Sequence, residues 1–404
     1  MIKIAMIGFG NRGYGLLRDI VLKRDDVCVC AVCDEYEDRA KKACDLVYSE
    51  KGSMPVCVTD YRKALEIDEV EAVVITSAWE SHIPIAIDAM KSGKTVGMEV
   101  GGAYSLEDCF NLVRVSEETK KHVMLLENCC YGRYELMVTN MVRMGIFGDV
   151  VHCRGQYAHD LREEISFGRE NRHYRLRNYL NRNCENYPTH ELGPIAKLLN
   201  IHSGNRMVSL VSTASSSKGL KEYIKNNPKA NKELLNKTFN QADIVTTAIK
   251  CAGGESIVIT LDTTLPRAYS RGFEVRGTKA MYTEDNKTIF IDGEHNKYDF
   301  EPQKLWGNAD KYLEKYEHPI WKDYIKKGVQ GGHDGMDYLV FDAFFESVKN
   351  KTKPPIDTYD TAALMCITPL SEQSVALGGK TVYIPDFTGG AWIKEKEKNG
   401  KYDI

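Results

Sequence analysis

The stretch IKIAMIGFGNRG, residues 2–13, decides how the chain begins to fold. Its first half is apolar apart from Lys3 and carries three isoleucines, which suits a strand buried on both faces. Gly8, Gly10 and Gly13 follow at once in G-x-G-x-x-G spacing, and a helical pattern begins at Tyr14. A second apolar run, VCVCAVC (27–33), ends in Asp34, about twenty residues past the glycines. Each part has a mechanical role. Gly8 makes the tight turn, Gly10 admits a pyrophosphate to the backbone, and Gly13 lets helix and strand pack closely. Asn11 and Arg12 lie inside the same turn, at a helix N-terminus that favours negative charge. Asp34 can accept from a ribose 2′-hydroxyl, and Asp34 with Glu35 would repel a 2′-phosphate. The expected cofactor is therefore NAD rather than NADP.

Farther along, the alternation continues. VEAVVITS (70–77), TVGMEV (95–100) and VMLLEN (123–128) read as buried strands separated by helical patterns. The fold class is α/β, with a doubly wound sheet complete by Leu126. Ligands of such sheets lie beyond the carboxyl ends of the strands. Ser77 with His82, Glu99, and Glu127 with Asn128 stand at those ends. From about Val150, strand-like runs follow each other with few helices between: VVHCRGQYA, VSLVSTAS, DIVTTAIKCA, SIVITLDTT, GFEVRG and AMYTEDNKTIFID. This predicts an α+β domain with a mainly antiparallel open sheet, giving domains 1–126 and 127–404. Residues 159–190 and 305–337 read as loops decorated with side chains.

Composition narrows the possibilities. A chain of 404 residues favours two domains. A formal charge of -3 suggests no nucleic-acid or anionic-membrane partner, and the acids of the arginine-rich 159–190 segment offset its basic residues. No run has the ~18 apolar residues of a membrane span, and MIKIAMIGFG does not read as a signal peptide. The 12 cysteines lack paired zinc knuckles, and the single Cys30–Cys33 CxxC lies in an apolar strand. Buried thiols and a reducing cytoplasm are expected, with no metal site. The lysine-rich tail, residues 394–404, reads as a solvated terminus.

A second stretch, ENYPTHELGPIAKLL (185–199), raises a question of its own. Ile195, Leu198 and Leu199 fall at helical spacing. Thr189 would serve as an N-cap, and Pro194 needs a place in the first turn. Tyr187 and His190 flank the Pro-Thr pair for no evident packing reason. The layout resembles the glucose-fructose oxidoreductase / inositol dehydrogenase (Gfo/Idh/MocA) family over essentially the whole chain, implying a Rossmann domain and a C-terminal sheet bearing the substrate site. That sheet usually makes the oligomer contact, so a homodimer or homotetramer is implied. Two positions depart from the family's dehydrogenases: Val100 replaces the Lys of Glu-Lys-Pro, and Gly193 replaces an Asp after the histidine.

The chain is more similar to glycoside hydrolase family 109, the NAD-dependent α-N-acetylgalactosaminidases. The similarity rests on LLENCCYGR (Glu127, Tyr131), QYAHDLRE (Tyr157, His159), NYPTHELGP (Tyr187, His190), PRAYSRGFEVRGT (Tyr269) and GGHDGMD (His333). It implies Tyr157, His159, Tyr187, His190 and Tyr269 as catalytic groups around a sugar, with Glu127, Tyr131, Arg175 and His333 binding it. It further implies hydrolysis by transient oxidation at C3, C1–C2 elimination, water addition and re-reduction, on an NAD that stays tightly bound and is regenerated each cycle. A tyrosine acting as base near neutral pH would need a value below its usual ~10. A net sugar dehydrogenase is the alternative reading, and a non-catalytic NAD-bound sugar sensor a third. Family members often carry a twin-arginine export signal, which the MIKIAMIGFG start does not resemble, so an imported or intracellular substrate is expected. Glu191 stands where relatives tend to have glycine, and is expected to influence which sugar or anomer fits.

Overall fold

The structure is a computed structural model that describes residues 1–396 and 400–404, so part of the lysine-rich tail lies outside the described residues. It has two compact units. One comprises Met1–Asn128, Lys327–Ala362 and Gly400–Asp403; the other comprises Cys129–Lys326, residues 363–396 and Ile404. The division is thus not a single cut after 126, because residues 327–362 return to the N-terminal unit. Their helix Met336–Asn350 buries Leu339, Val340, Phe341, Phe344 and Phe345. A Cβ on Gly97 would stand 3.0 Å from the Phe344 ring, so that glycine sets how closely the helix covers the sheet.

The first unit holds six strands: β1 (Ile2–Ile7), β2 (Val27–Cys33), β3 (Val56–Val58), β4 (Ala72–Ile75), β5 (Thr95–Met98) and β6 (Val123–Leu125). All pairings are parallel and the order is β3-β2-β1-β4-β5-β6. Ile4, Ala5, Met6, Val73, Val74 and Ile75 are completely buried, as continuous apolar strands covered on both faces should be. The order reverses between β1 and β4, which puts the switch point beside the Gly8 turn. The edge strand β3 is only three residues long, and two of them are exposed.

The second unit is built on β7 (Val150–Ala158), β8 (Met207–Ala214), β9 (Ile244–Cys251), β10 (Ser256–Asp262), β11 (Glu274–Gly277), β12 (Ala280–Thr283), β13 (Thr288–Ile291) and β14 (Val382–Tyr383). Their order is β13-β12-β11-β7-β10-β9-β8-β14, antiparallel throughout except for the β7–β10 pair. Both segments read as loops are instead partly helical. Arg162–Ser166 and Arg175–Asn181 are helices, and Tyr179 is completely buried; Asp310–Tyr316 and Pro319–Lys327 are helices, and Trp321 is buried. Short helices dense in charge hide their apolar stripe from periodicity. The tail also departs from a solvated terminus at Tyr402, which is buried and donates its hydroxyl to Asp342. All 12 cysteines are thiols. Among the described residues no helix is long and apolar enough to cross a membrane.

Candidate active site

In the first unit, the turn after β1 depends on its glycines. Gly8 adopts φ +98°, and a Cβ there would lie 2.5 Å from Ser77 N. One on Gly13 would lie 2.2 Å from the Gly8 carbonyl oxygen. At Gly10 a Cβ would meet nothing within 4 Å, so that glycine leaves the turn open rather than packed. The helix begins at Asn11, three residues earlier than the sequence pattern, and so takes in Arg12 and Gly13. Asp34 is buried; its Oδ2 accepts from Phe9 N at 2.5 Å and its Oδ1 from Tyr36 N at 2.9 Å. These bonds hold the glycine turn to the end of β2 and leave lone pairs for ribose hydroxyls. An open glycine backbone at a helix N-terminus, with a buried acid at the next strand end, fits NAD.

The other strand ends of this unit carry a polar network. His82 is buried, and its Nε2 lies 3.0 Å from the Ser77 carbonyl oxygen, so it acts on the cofactor end through the Ser77 turn. Ser77 Oγ lies 2.8 Å from Ser81 Oγ. Arg12 donates to Glu99 Oε1 at 3.1 Å and to both oxygens of Asp337 at 2.8 Å. Asn128 Nδ2 donates to Asp337 Oδ1 at 2.8 Å, and His333 Nδ1 lies 2.8 Å from Asp337 Oδ2. His333, expected beside the sugar, is therefore grouped with cofactor residues of its own unit. Asp337 was not singled out in the sequence; it closes GGHDGMD, and only the returning helix brings it to Arg12.

Burial opposes the Asp337 charge, but Arg12 and His333 hold its carboxyl far below the usual range. A depressed carboxyl contributes stability above its unfolded value of ~3.9 and loses it only as pH falls through the folded one. Asp337 therefore stays ionised at all working pH. Asp337→Asn is expected to cost about 2 kcal/mol in chemical denaturation, below the loss for a fully buried pair because Arg12 is 37% exposed. The variant should also release NAD faster on dialysis.

In the second unit, β7 and the helix Thr189–Leu198 build the other group. A Cβ on Gly155 would stand 2.5 Å from the Glu191 carbonyl oxygen, so the bare glycine lets the helix lie against β7. Tyr157, two residues on, points to the same face. Its ring stacks on Tyr187 at 4.2 Å, and His190 meets both rings edge-on at 5.6 and 4.9 Å. His159 Nδ1 lies 3.3 Å from the Tyr157 hydroxyl, and Tyr269 packs edge-on against His159 at 5.2 Å. Buried Arg175 sits 5.0 Å over the Tyr187 ring and pairs with Glu164 at 2.6 Å. Six of the expected residues thus form one cluster. Thr189 does not cap the helix but is its first residue after Pro188, and Pro194 lies in the second turn, where it offers no N–H to the His190 carbonyl.

Residues 131–394 match the family described as glycosyl hydrolase 109, C-terminal domain, and residues 2–126 match the oxidoreductase family with an NAD-binding Rossmann fold. The chain belongs to glycoside hydrolase family 109. A family-109 protein of Stenotrophomonas maltophilia is 38% identical over 99% of this chain and 93% of its own. An α-N-acetylgalactosaminidase of Tannerella forsythia is 36% identical over 97% of this chain and 87% of its own. Among solved structures, a myo-inositol dehydrogenase from Lactobacillus casei with NAD(H) and myo-inositol superposes with a TM-score of 0.66 at 16% identity, covering 98% of this chain and all of that one. That likeness is of fold. This member of family 109 is an NAD-dependent glycosidase.

Electrostatics then sorts the groups of the family-109 cluster. Burial pushes the Tyr157 hydroxyl up to about 12 against the pull of Arg175. Tyr269 is raised as well, mainly by desolvation, although half of its side chain is exposed. Both tyrosines therefore move away from the value a base needs and are suited to donating hydrogen bonds. His159 is lowered, first by burial and then by Arg175, so it is a neutral acceptor at neutral pH. Tyr131 is completely buried in the second unit, where its carbonyl accepts from Trp321 Nε1 at 2.8 Å. Glu127 is completely buried just beyond β6 of the first unit. Glu164, the partner of Arg175, was missed in the sequence because nothing in HDLREEIS separates it from its acidic neighbours. Glu191 does not line the ring cluster: it is buried and accepts from Thr260 N.

Proposed function

We propose that this enzyme removes a terminal α-linked N-acetylhexosamine, of the N-acetylgalactosamine kind, by redox-neutral hydrolysis. The observation that carries this reading is the second-unit cluster, in which two histidines and three tyrosines stand together beside a buried arginine. Most glycosidases rely on two carboxyl groups flanking the glycosidic bond. Here the proton-transfer groups are imidazoles and phenols, as an elimination and addition at several ring carbons would require. The names of the relatives from Tannerella forsythia and Shewanella oneidensis, both α-N-acetylgalactosaminidases, support the choice of sugar.

Gly8, Gly10, Asn11, Arg12, Gly13 and Asp34 would hold the NAD, with Ser77, His82, Glu99 and Asn128 shaping its far end. The bound cofactor supplies a reversible hydride acceptor for a sugar carbon. The remaining work falls to the protein. His159 takes a proton, Tyr157 and Tyr269 donate hydrogen bonds to sugar oxygens, and Tyr187 with His190 holds the ring. Arg175 supplies positive potential where an oxygen gains negative charge. Because burial and Arg175 oppose its protonation, His159 should keep kcat/KM high down to below the ordinary histidine value of ~6.5. The acid limb of the pH profile should therefore lie under that value and vanish in His159→Gln.

The cysteine thiols, most of them buried, support a reducing cytoplasm. A homodimer or homotetramer through the eight-stranded sheet is supported by its incompletely buried face, where Val211, Ala248 and Val258 lie on neighbouring strands. The test of function is incubation, without added cofactor, with aryl α- and β-glycosides that include 2-acetamido sugars. Many turnovers of aryl release without NADH absorbance are expected. Net NADH from free sugars and NAD⁺, with every glycoside inert, would instead establish a sugar dehydrogenase.

A further inference from the structure

Glu185 and Glu191 bracket the turn that carries Tyr187 and His190, and neither reaches solvent, at 0% and 1% exposure. Each carboxyl has one oxygen tied to the main chain: Glu185 Oε1 accepts from Tyr187 N at 3.3 Å, and Glu191 Oε2 from Thr260 N at 2.9 Å. The remaining oxygens, Glu185 Oε2 and Glu191 Oε1, are buried and have no protein donor. Yet the two carboxyls lie close enough to act on each other directly. Two carboxylates so placed could not bond to each other, because each is only an acceptor.

Among the described residues no cation is hydrogen-bonded to either acid, and buried Arg175, which lies over the Tyr187 ring, is paired with Glu164 at 2.6 Å. The groups acting on the pair are the main chain at Tyr157, Tyr187, Thr260 and Leu261. The nearby titratable side chains Tyr179 and Cys184 are kept uncharged by burial. Arg182, which acts on Cys184, is paired with Glu372 at 2.6 Å. His190, the chain neighbour of Glu191, directs its ring to the two tyrosines. One proton between the acids satisfies both orphan oxygens at once.

We propose that Glu185 and Glu191 share a single proton and act as a positioning pair, fixing the turn of Tyr187 and His190 onto β7 and β10. The pair is well placed for this. Glu191 grips Thr260 of β10, and the Glu191 backbone rests on Gly155 of β7. Glu185 is anchored from the other side, donating its N–H to Ser371 at 2.9 Å and accepting from Thr368 at 2.7 Å. Burial raises both carboxyls; Glu185 raises Glu191 further while Glu191 draws Glu185 back down, so the pair titrates as a unit with the proton held between them. Below that titration the shared proton holds the turn; above it two buried negative charges repel and the turn loosens.

The test has two arms on the NAD-loaded full chain. In infrared difference spectra taken at neutral pH, the wild type should show a protonated-carboxyl stretch that disappears in both Glu185→Gln and Glu191→Gln. In activity, Glu191→Gln should retain most turnover, because its amide donates to Glu185 and its oxygen still accepts from Thr260. Its alkaline limb should move up by about one pH unit or more. Glu191→Ala should lose about 10²-fold in kcat through misplacement of Tyr187 and His190. A wild type without the carboxyl band, an unmoved alkaline limb, or equal losses in the Gln and Ala variants would overturn the proposal. The activity arm rests on the glycosidase reading; the infrared arm does not, so failure of one is distinguishable from failure of the other.

Discussion

Replacing His190 by alanine is expected to lower kcat by about 10²-fold, the cost of misplacing the sugar ring that His190 and Tyr187 hold. The imidazole stands edge-on to both Tyr157 and Tyr187, so the substitution removes the group shared by the two stacked rings. Little stability should go with it. His190 is only partly buried, and alanine is a better helix former at this second residue of the helix Thr189–Leu198. Unfolding should therefore shift by no more than about 1 kcal/mol. Bound NAD, held by residues of the other unit, should be unchanged. A variant with normal turnover, or one that lost its cofactor along with its activity, would remove His190 from the proposed role.

Replacing Gly8 by alanine is expected to abolish cofactor retention. The φ of +98° is strained for any L side chain, which costs about 1–3 kcal/mol. The added Cβ would also press on Ser77 N and on the Thr76 carbonyl carbon at 2.5 and 2.6 Å, main-chain atoms that cannot rotate away. The turn must open, and the backbone that would cradle the pyrophosphate moves with it. Affinity for NAD should fall by at least about 100-fold, equivalent to ~2.7 kcal/mol, and protein purified without added cofactor should carry almost none. Gly10→Ala is the useful contrast. Its Cβ would meet nothing in the protein, so it should fold normally and lose affinity only through crowding of the ligand itself.

How much of this was legible in the sequence follows from what each feature depends on. The parallel sheet was readable because strands buried on both faces are apolar end to end, and the glycine turn because its spacing is mechanical. The strands β7 to β10 were readable as strand-like runs with few helices between, and five of the six clustered residues through motifs that resemble those of family 109. Position in sequence, by contrast, says little about which residues a returning chain brings together. Asp337 joins Arg12 across more than three hundred residues, and it draws His333 into the cofactor group. Glu191 looked like a specificity residue beside His190, but one position along a helix turns a side chain by about 100°, here onto β10 instead of the ring cluster. The direction of the tyrosine shifts also required the fold, since burial is a property of neighbours that the sequence does not place.

In the proposed mechanism the glycosidic bond is broken by elimination and not by direct displacement at C1. Hydrolysis of an aryl α-N-acetylgalactosaminide in D₂O, followed by NMR of the released sugar, tests this directly. Loss of the C2 proton and its replacement from solvent predicts a product carrying non-exchangeable deuterium at C2. A product that retains protium at C2 through complete hydrolysis would exclude elimination, whatever the roles of His159 and Tyr157.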